Sequence, residues 1–138
     1  MKKQQSVIFA GDYAYIRQIE TAIKSICRHN SHLKIYVLNQ DIPQEWFMNI
    51  RTYIQQMGGN LIDCKVIGAK YKMNWTNQLP HINHMTFARY FIPDFVEEDK
   101  VLYLDSDLVV TGDLSQLFEI DLEENYLAAA RSCFGAGV

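Results

Sequence analysis

Two aspartates separated by one residue, Asp105 and Asp107, carry the clearest chemical signal in this sequence. They directly follow Lys100–Leu104, the most hydrophobic predicted strand of the chain. Residues i and i+2 of an extended segment point to the same side, so the two carboxylates should converge. Two negative charges held this close resist joint ionisation unless a cation lies between them. Carboxylate oxygens suit Mg²⁺ or Mn²⁺, either of which can also bind a diphosphate, so the spacing predicts a metal site.

The same two aspartates allow two other interpretations. They could be solvated residues of an ordinary turn. The sequence from Asp105 to Val109 also fits the strand-DxDx(T/V) pattern of haloacid-dehalogenase-type phosphatases, in which the first aspartate is a nucleophile and the second an acid/base. That reaction needs a downstream lysine, but the 31 residues after Asp107 contain none. The order of residues therefore favours the metal site over the phosphatase.

The rest of the sequence predicts an α/β fold with a mostly parallel central sheet, because short apolar runs alternate with segments of helical period. Strands are predicted at 6–10, 34–38, 60–66, 100–104 and 126–130. Helices are predicted at 16–28, 43–57, 83–91 and 114–118, with Pro93 ending the third, and 68–80 is expected to be a long surface loop. Open α/β sheets bind ligands beyond the carboxyl ends of their strands, where Asp105 and Asp107 are expected to lie.

Length and composition indicate one globular domain. The chain has 138 residues, of which 49% are hydrophobic and 21% charged, and a net charge of −3 that argues against nucleic-acid binding through bulk charge. Cys27, Cys64 and Cys133 form no CxxC pair, so neither a cysteine zinc site nor a disulfide framework is expected. No apolar run is long enough to cross a bilayer. We expect a cytoplasmic protein, with docking at the inner face of the membrane left open.

Four blocks of the sequence resemble glycosyltransferase family 8, a group of retaining GT-A-fold enzymes that use UDP-sugars. Phe9–Tyr15 (FAGDYAY) resembles the family's opening block, FAADxNYA, and Ile35–Leu38 matches its second strand. His81–Arg89 (HINHMTFAR) resembles its HISxxTYARL block. Val101–Asp107 (VLYLDSD) is close to KVLYLDxD, and Val110–Leu114 (VTGDL) is similar to the sequence that follows it. The resemblance implies that residues 1–138 are the N-terminal nucleotide-sugar-binding part of one Rossmann-like GT-A domain.

The resemblance also implies contacts to the nucleotide. Ala10 and Asp12 would contact the uracil, with the Asp12 carboxylate accepting a hydrogen bond from the base. Tyr15 would stack on the base, and the Ser106 backbone would lie near the ribose. Two ordinary roles remain open, since Asp12 could cap the helix that follows and Tyr15 could pack at its start.

Further roles concern the rest of the substrates. Asp105 and Asp107 would hold Mn²⁺, or Mg²⁺, on the diphosphate. Arg89 would reach a phosphate or the sugar, and His81 would line the acceptor side. The ordinary alternatives are a surface ion pair for Arg89 and a loop histidine for His81.

The activity implied by the resemblance is transfer of a hexose from a UDP-hexose donor to a glycan or glycoprotein acceptor, with retention at the anomeric carbon. Bacterial members of such families build cell-surface glycans or glycosylate proteins. Ala14 replaces an asparagine of the family's first block, and no catalytic residue can be named. The family's later N-x-G segment and its HxxGxxKPW-like motif, whose histidine is a third metal ligand, are not found here. This chain alone is expected to be inactive in transfer, and the alternative is a non-catalytic nucleotide-sugar-binding module or a truncated fragment.

Overall fold

The computed structural model describes residues 4–67 and 88–130, excluding the side chains of Ala88 and Arg89. Its four strands are β1 (Gln5–Ala10), β2 (Leu33–Asn39), β3 (Asn60–Lys65) and β4 (Leu102–Tyr103). Its α-helices are α1 (Ile16–His29), α2 (Gln44–Gln56), α3 (Ile92–Phe95) and α4 (Ser115–Phe118). Short 3₁₀ helices span Tyr13–Tyr15 and Ala88–Phe91.

The described strands form one parallel sheet in the order β3-β2-β1-β4. The chain moves outward from β1 through β2 to β3, whereas β4 pairs with the opposite side of β1. The direction of strand succession therefore reverses between β1 and β4. Open α/β sheets place their ligand crevice at the carboxyl ends of the strands beside this reversal.

Both faces of the sheet are covered, as expected of parallel strands. Val7 and Phe9 of β1 face a core that α1 and α2 complete, while Ile8 faces the opposite core. The second core includes Tyr36 and the apolar residues of α3. Successive residues of a strand point to opposite faces, so one apolar run supplies both cores.

Helix α1 confirms the predicted helical period. Its buried positions recur three or four residues apart and face the first core; they are Ile19, Ala22, Ile23, Ile26 and Cys27. Arg28 and His29 lie in its last turn, where a positive charge complements the helix dipole. At the end of the next strand–helix unit, Gly58 has φ +75°, a backbone angle suited to glycine, and α2 ends before it.

Three of the predicted elements differ from the structure. Pro93 does not end a helix at 91, because it lies in the first turn of α3, where a missing N–H costs nothing. The strand predicted at 100–104 forms ladder pairs only at Leu102 and Tyr103. The strand predicted at 126–130 is wrong: this segment is exposed and pairs with no strand of the described part of the chain, and a strand needs a neighbour to form. Residues 83–87 and the predicted loop 68–80 lie outside the described residues.

Candidate functional site

Two turns meet at the carboxyl edge of the sheet, where β1 and β4 end side by side. We call Asp105–Asp107 the carboxylate turn and Ala10–Tyr15 the nucleotide turn. The parallel pairing of Val7 with Leu102 and Ile8 with Tyr103 sets the two strands in register. The Leu104 N–H continues this pairing by donating to the Ile8 carbonyl over 3.1 Å. The predicted metal and nucleotide residues therefore share one edge of the sheet.

The carboxylate turn alternates between solvent and protein. Asp105 and Asp107 are exposed, whereas Ser106 between them is half-buried. The Ser106 hydroxyl donates a 2.7 Å hydrogen bond to the Ala10 carbonyl at the end of β1. Both aspartates are therefore open to solvent, while the side chain between them joins the two turns.

The backbone after the carboxylate turn is held by Ser25 of α1 and by Asn30, which directly follows that helix; the sequence analysis missed both residues. Ser25 Oγ accepts a hydrogen bond from the Val110 N–H over 2.9 Å. Asn30 accepts from the Leu114 N–H over 2.8 Å and donates to the Gly112 carbonyl over 3.1 Å. The carboxylate turn is thus anchored to β1 on one side and followed by a segment anchored to α1. The signal available in the sequence was a serine beside the buried positions of amphipathic α1 and an asparagine directly after its end.

Two aspartates connect the nucleotide turn to the turn after β2, because each accepts a hydrogen bond from a backbone N–H of the other turn. Asp12 Oδ1 accepts from the Gln40 N–H over 3.1 Å, and Asp41 Oδ1 accepts from the Tyr13 N–H over 2.8 Å. The Asp12 side chain makes no capping hydrogen bond to the helical turn after it, so the capping alternative is wrong. Asp41 is a third residue that the sequence analysis missed, because its hydrogen-bond partner Tyr13 is 28 residues away.

A polar network beneath these turns fixes the end of β2. Asn39 is fully buried, and its Oδ1 accepts from the Ile42 N–H over 3.1 Å. Its Nδ2 donates to Asp63 Oδ1 over 2.8 Å, and Lys65 pairs with Asp63 Oδ2 over 3.3 Å. Buried polar groups are costly unless their hydrogen bonds are satisfied, so this network favours a single position for the Gln40–Asp41 segment.

Exposed aromatic surface lies beside the carboxylate turn. Tyr15 is 42% and Tyr13 54% exposed, so the Tyr15 ring is accessible rather than packed within the core. A shallow cleft of about 260 Å³ lies beside Asp107, between the first turns of α1 and the segment that follows the carboxylate turn. Its lining comprises Arg17, Gln18, Thr21, Asp107, Leu108 and Val109.

The side chains of the carboxylate turn can be compared with the ligands that a divalent cation prefers. Two exposed carboxylates supply the hard oxygen ligands that Mg²⁺ and Mn²⁺ prefer. Across residues 4–67 and 88–130, no three histidine, cysteine, aspartate or glutamate side chains cluster as a metal site would require. Within the part of the chain that the structure describes, the carboxylate turn would offer a cation two carboxylates and no third clustered side chain.

Two predicted site residues lie where the structure gives no side chain. His81 is outside the described residues. Arg89 is in the 3₁₀ helix Ala88–Phe91, but only its backbone is described. Their roles stay predictions.

Comparison with known proteins supplies the family. The model of Glycosyl transferase family 8 matches residues 6–136. The chain therefore belongs to glycosyltransferase family 8. Its parallel α/β sheet is the GT-A fold of solved glycosyltransferases, as the resemblance predicted.

Two relatives illustrate the extent of the similarity. Glycosyltransferase GlyE of Streptococcus pneumoniae serotype 4 is 81% identical over 135 residues, covering 98% of this chain and 33% of GlyE. The GlyE crystal structure superposes with a TM-score of 0.85 and 72% identity, over 99% of this chain and 32% of that one. The galactosyltransferase LgtC, solved with donor and acceptor sugar analogues, gives a TM-score of 0.66 at 26% identity, over 86% and 44% of the two chains. The present chain spans about a third of the length of GlyE.

No helix in the described ranges is both long enough and apolar enough to cross a membrane.

Proposed function

We propose that this chain forms the donor-binding part of a retaining, metal-dependent glycosyltransferase that uses a UDP-hexose. The observation that carries the proposal is the junction of the carboxylate and nucleotide turns at the strand-order reversal of the sheet, through the 2.7 Å bond from Ser106 to Ala10. Family membership and the donor-bound LgtC structure support the same substrate class. Residues 1–138 would be the N-terminal nucleotide-sugar-binding part of a single GT-A domain.

Asp105 and Asp107 are the proposed ligands of Mn²⁺ or Mg²⁺. Both carboxylates are exposed at the carboxyl edge of the sheet, where a diphosphate can approach. A bound divalent cation would stabilise the charge that develops on the departing UDP. Because the described residues form no cluster of three possible ligands, we expect the chain to hold the cation weakly until the nucleotide adds its own oxygens.

The nucleotide turn would bind the base and ribose. The Tyr15 ring is accessible for stacking on uracil. Asp12 already accepts from Gln40, but a carboxylate has further lone pairs and can accept from the base N–H as well. Ala10 and Ser106 lie where the two turns join, which suits contact with the uracil and the ribose.

The remaining assignments concern the sugar and the acceptor. Arg89 would bind a phosphate or the donor sugar, since a guanidinium pairs well with oxyanions. His81 would line the side of a glycan or glycoprotein acceptor. We place the reaction in the cytoplasm of a bacterium, in the assembly of cell-surface glycans. The free, buried thiols of Cys27 and Cys64 fit a reducing compartment.

The chain by itself should bind UDP without transferring sugar, because its described residues supply two metal ligands and no group assigned to the anomeric carbon. Calorimetric titration of UDP into this chain, with and without Mn²⁺, tests the binding. We expect binding to require Mn²⁺ and to be lost in Asp107→Asn.

Asp99→Asn is a matched control for that titration. Asp99 is also exposed, but it precedes β4 and so belongs to the opposite edge of the sheet. Its substitution should leave UDP binding unchanged. Equal UDP binding with and without Mn²⁺, or equal weakening by both substitutions, would contradict the assigned metal site.

A further inference from the structure

The Ser106 side chain joins the proposed cation ligands to the proposed nucleotide-binding backbone. We infer that Ser106 is a positioning residue whose hydroxyl couples cation binding at the carboxylate turn to the conformation of the nucleotide turn. This inference rests on the proposed function, but it concerns the hydroxyl group of Ser106 and not the backbone contact to ribose described above.

The two turns are in direct contact at this point. Ser106 Oγ donates to the Ala10 carbonyl over 2.7 Å, and the Ser106 side chain is half-buried between two exposed aspartates. A β-carbon added at Gly11 would lie 3.3 Å from Ser106 Oγ and 2.9 Å from Ile19 Cδ1. The glycine at position 11 therefore allows the backbone of the nucleotide turn to approach the serine hydroxyl.

This hydrogen bond directly connects the proposed cation site to the proposed nucleotide site. A cation shared by Asp105 and Asp107 would restrict the backbone on both sides of Ser106. The restricted hydroxyl would hold the Ala10 carbonyl, from which the chain continues directly through Gly11 to Asp12. A coupling of this kind is reciprocal, so nucleotide binding would also favour the cation-binding geometry.

The amides of the nucleotide turn can report the coupling. The Gly11 N–H donates to Leu38 O over 3.0 Å, the Tyr13 N–H to Asp41 over 2.8 Å and the Tyr15 N–H to Asp12 O over 2.8 Å. Hydrogen–deuterium exchange at these amides measures how often the nucleotide turn opens. Mn²⁺ alone is the probe, so no ligand contacts the nucleotide turn directly.

Ser25→Ala is the matched control for Ser106→Ala. The Ser25 hydroxyl accepts a hydrogen bond from the Val110 N–H over 2.9 Å and donates to the Ala22 carbonyl of α1. Neither of these hydrogen bonds involves the nucleotide turn. Each substitution removes a serine hydroxyl that holds this segment. Only Ser106→Ala removes the side-chain hydrogen bond to Ala10 at the end of β1. Unchanged protection of the α1 amides would show that each variant is folded.

The experiment compares exchange with and without saturating Mn²⁺ in the three proteins. In the wild type and Ser25→Ala, Mn²⁺ should slow exchange in both turns, by roughly fivefold in the nucleotide turn, as expected for one neutral hydrogen bond. In Ser106→Ala, Mn²⁺ should slow only the carboxylate turn. Slowing of the nucleotide turn that is equal in Ser106→Ala, or absent in the wild type, would overturn the coupling. If Mn²⁺ slows neither turn, the proposed metal site itself fails and the coupling fails with it.

Discussion

Glu98 offers a quantitative test of how the segment before β4 is held to the sheet. One oxygen of its carboxylate lies 2.9 Å from Lys34 Nζ, and the other accepts a 2.7 Å hydrogen bond from the Tyr36 hydroxyl. Burial by itself would raise the pKa of Glu98, but the hydrogen bonds from Lys34 and Tyr36 outweigh it and lower that pKa to about 2. Replacing Glu98 with glutamine should therefore destabilise the fold.

The magnitude follows from the difference in pKa between the folded and unfolded states. A carboxyl with a pKa of about 2 when folded and 4.5 when unfolded stabilises the protein by at most roughly 3 kcal/mol above pH 5. The Glu98 side chain is 26% exposed, so solvent screening reduces the expected effect of Glu98→Gln at pH 7 to about 1–2 kcal/mol. Because the folded pKa is lowered, this stabilisation is present above the unfolded pKa and declines as the pH falls towards 2. By about pH 3, the difference between the two proteins should be less than half of its value at pH 7.

The assay is urea unfolding of the wild type and Glu98→Gln at several pH values between 7 and 3. Glu97→Gln is the control, because Glu97 lies 3.9 Å from the same Lys34 nitrogen but is 90% exposed. Glu97→Gln should lower the free energy of unfolding by less than about 0.5 kcal/mol, as expected of an exposed ion pair. Equal destabilisation by the two substitutions, or a Glu98→Gln effect that does not change with pH, would refute the reasoning.

Three further predictions concern the site and its supports. Asn30→Ala removes the hydrogen-bond partner that the Leu114 N–H and the Gly112 carbonyl share. Urea unfolding should show that the free energy of unfolding falls by about 1.5–3 kcal/mol. A decrease under about 0.5 kcal/mol would contradict the anchoring role. Gly58→Ala would place an alanine at φ +75° with its β-carbon 2.6 Å from the His32 ring. The same assay should show that the free energy of unfolding falls by at least about 1 kcal/mol. An unchanged free energy of unfolding would contradict the turn geometry. Tyr15→Ala should weaken UDP binding in the presence of Mn²⁺ by roughly tenfold while Tyr15→Phe keeps it; equal affinities of the two variants in calorimetry would argue against stacking.

The periodic elements were predictable because their signals are local. The buried residues of helix α1 recur at helical spacing, and the apolar runs of β1 and β2 are long enough to be recognised as buried strands. Pro93 was misread because proline marks both the first turn and the end of a helix, and spacing alone does not separate the two. The strand at 126–130 was wrong because strand formation depends on a partner elsewhere in the chain.

The sequence predicted that Asp105 and Asp107 lie at the carboxyl edge of the sheet, but it did not predict the residues that support them. Their role as metal ligands stays a prediction. Asp105 and Asp107 stand out by their spacing after an apolar strand. Ser25 and Asn30 contact residues 85 and 84 positions later, and Asp41 contacts a residue 28 positions earlier. Contacts across such separations depend on the strand order of the sheet, which a single sequence does not specify.

The central claim, that the carboxylate and nucleotide turns together form a metal-dependent donor site, is tested most directly by crystals of this chain grown with UDP and Mn²⁺. Diffraction data collected at the manganese edge would locate the cation without reference to the protein's shape. The account predicts one anomalous peak within bonding distance of both Asp105 and Asp107, with the uracil beside Asp12 and Tyr15. A manganese ion bound away from these carboxylates, or a base bound away from the nucleotide turn, would contradict it.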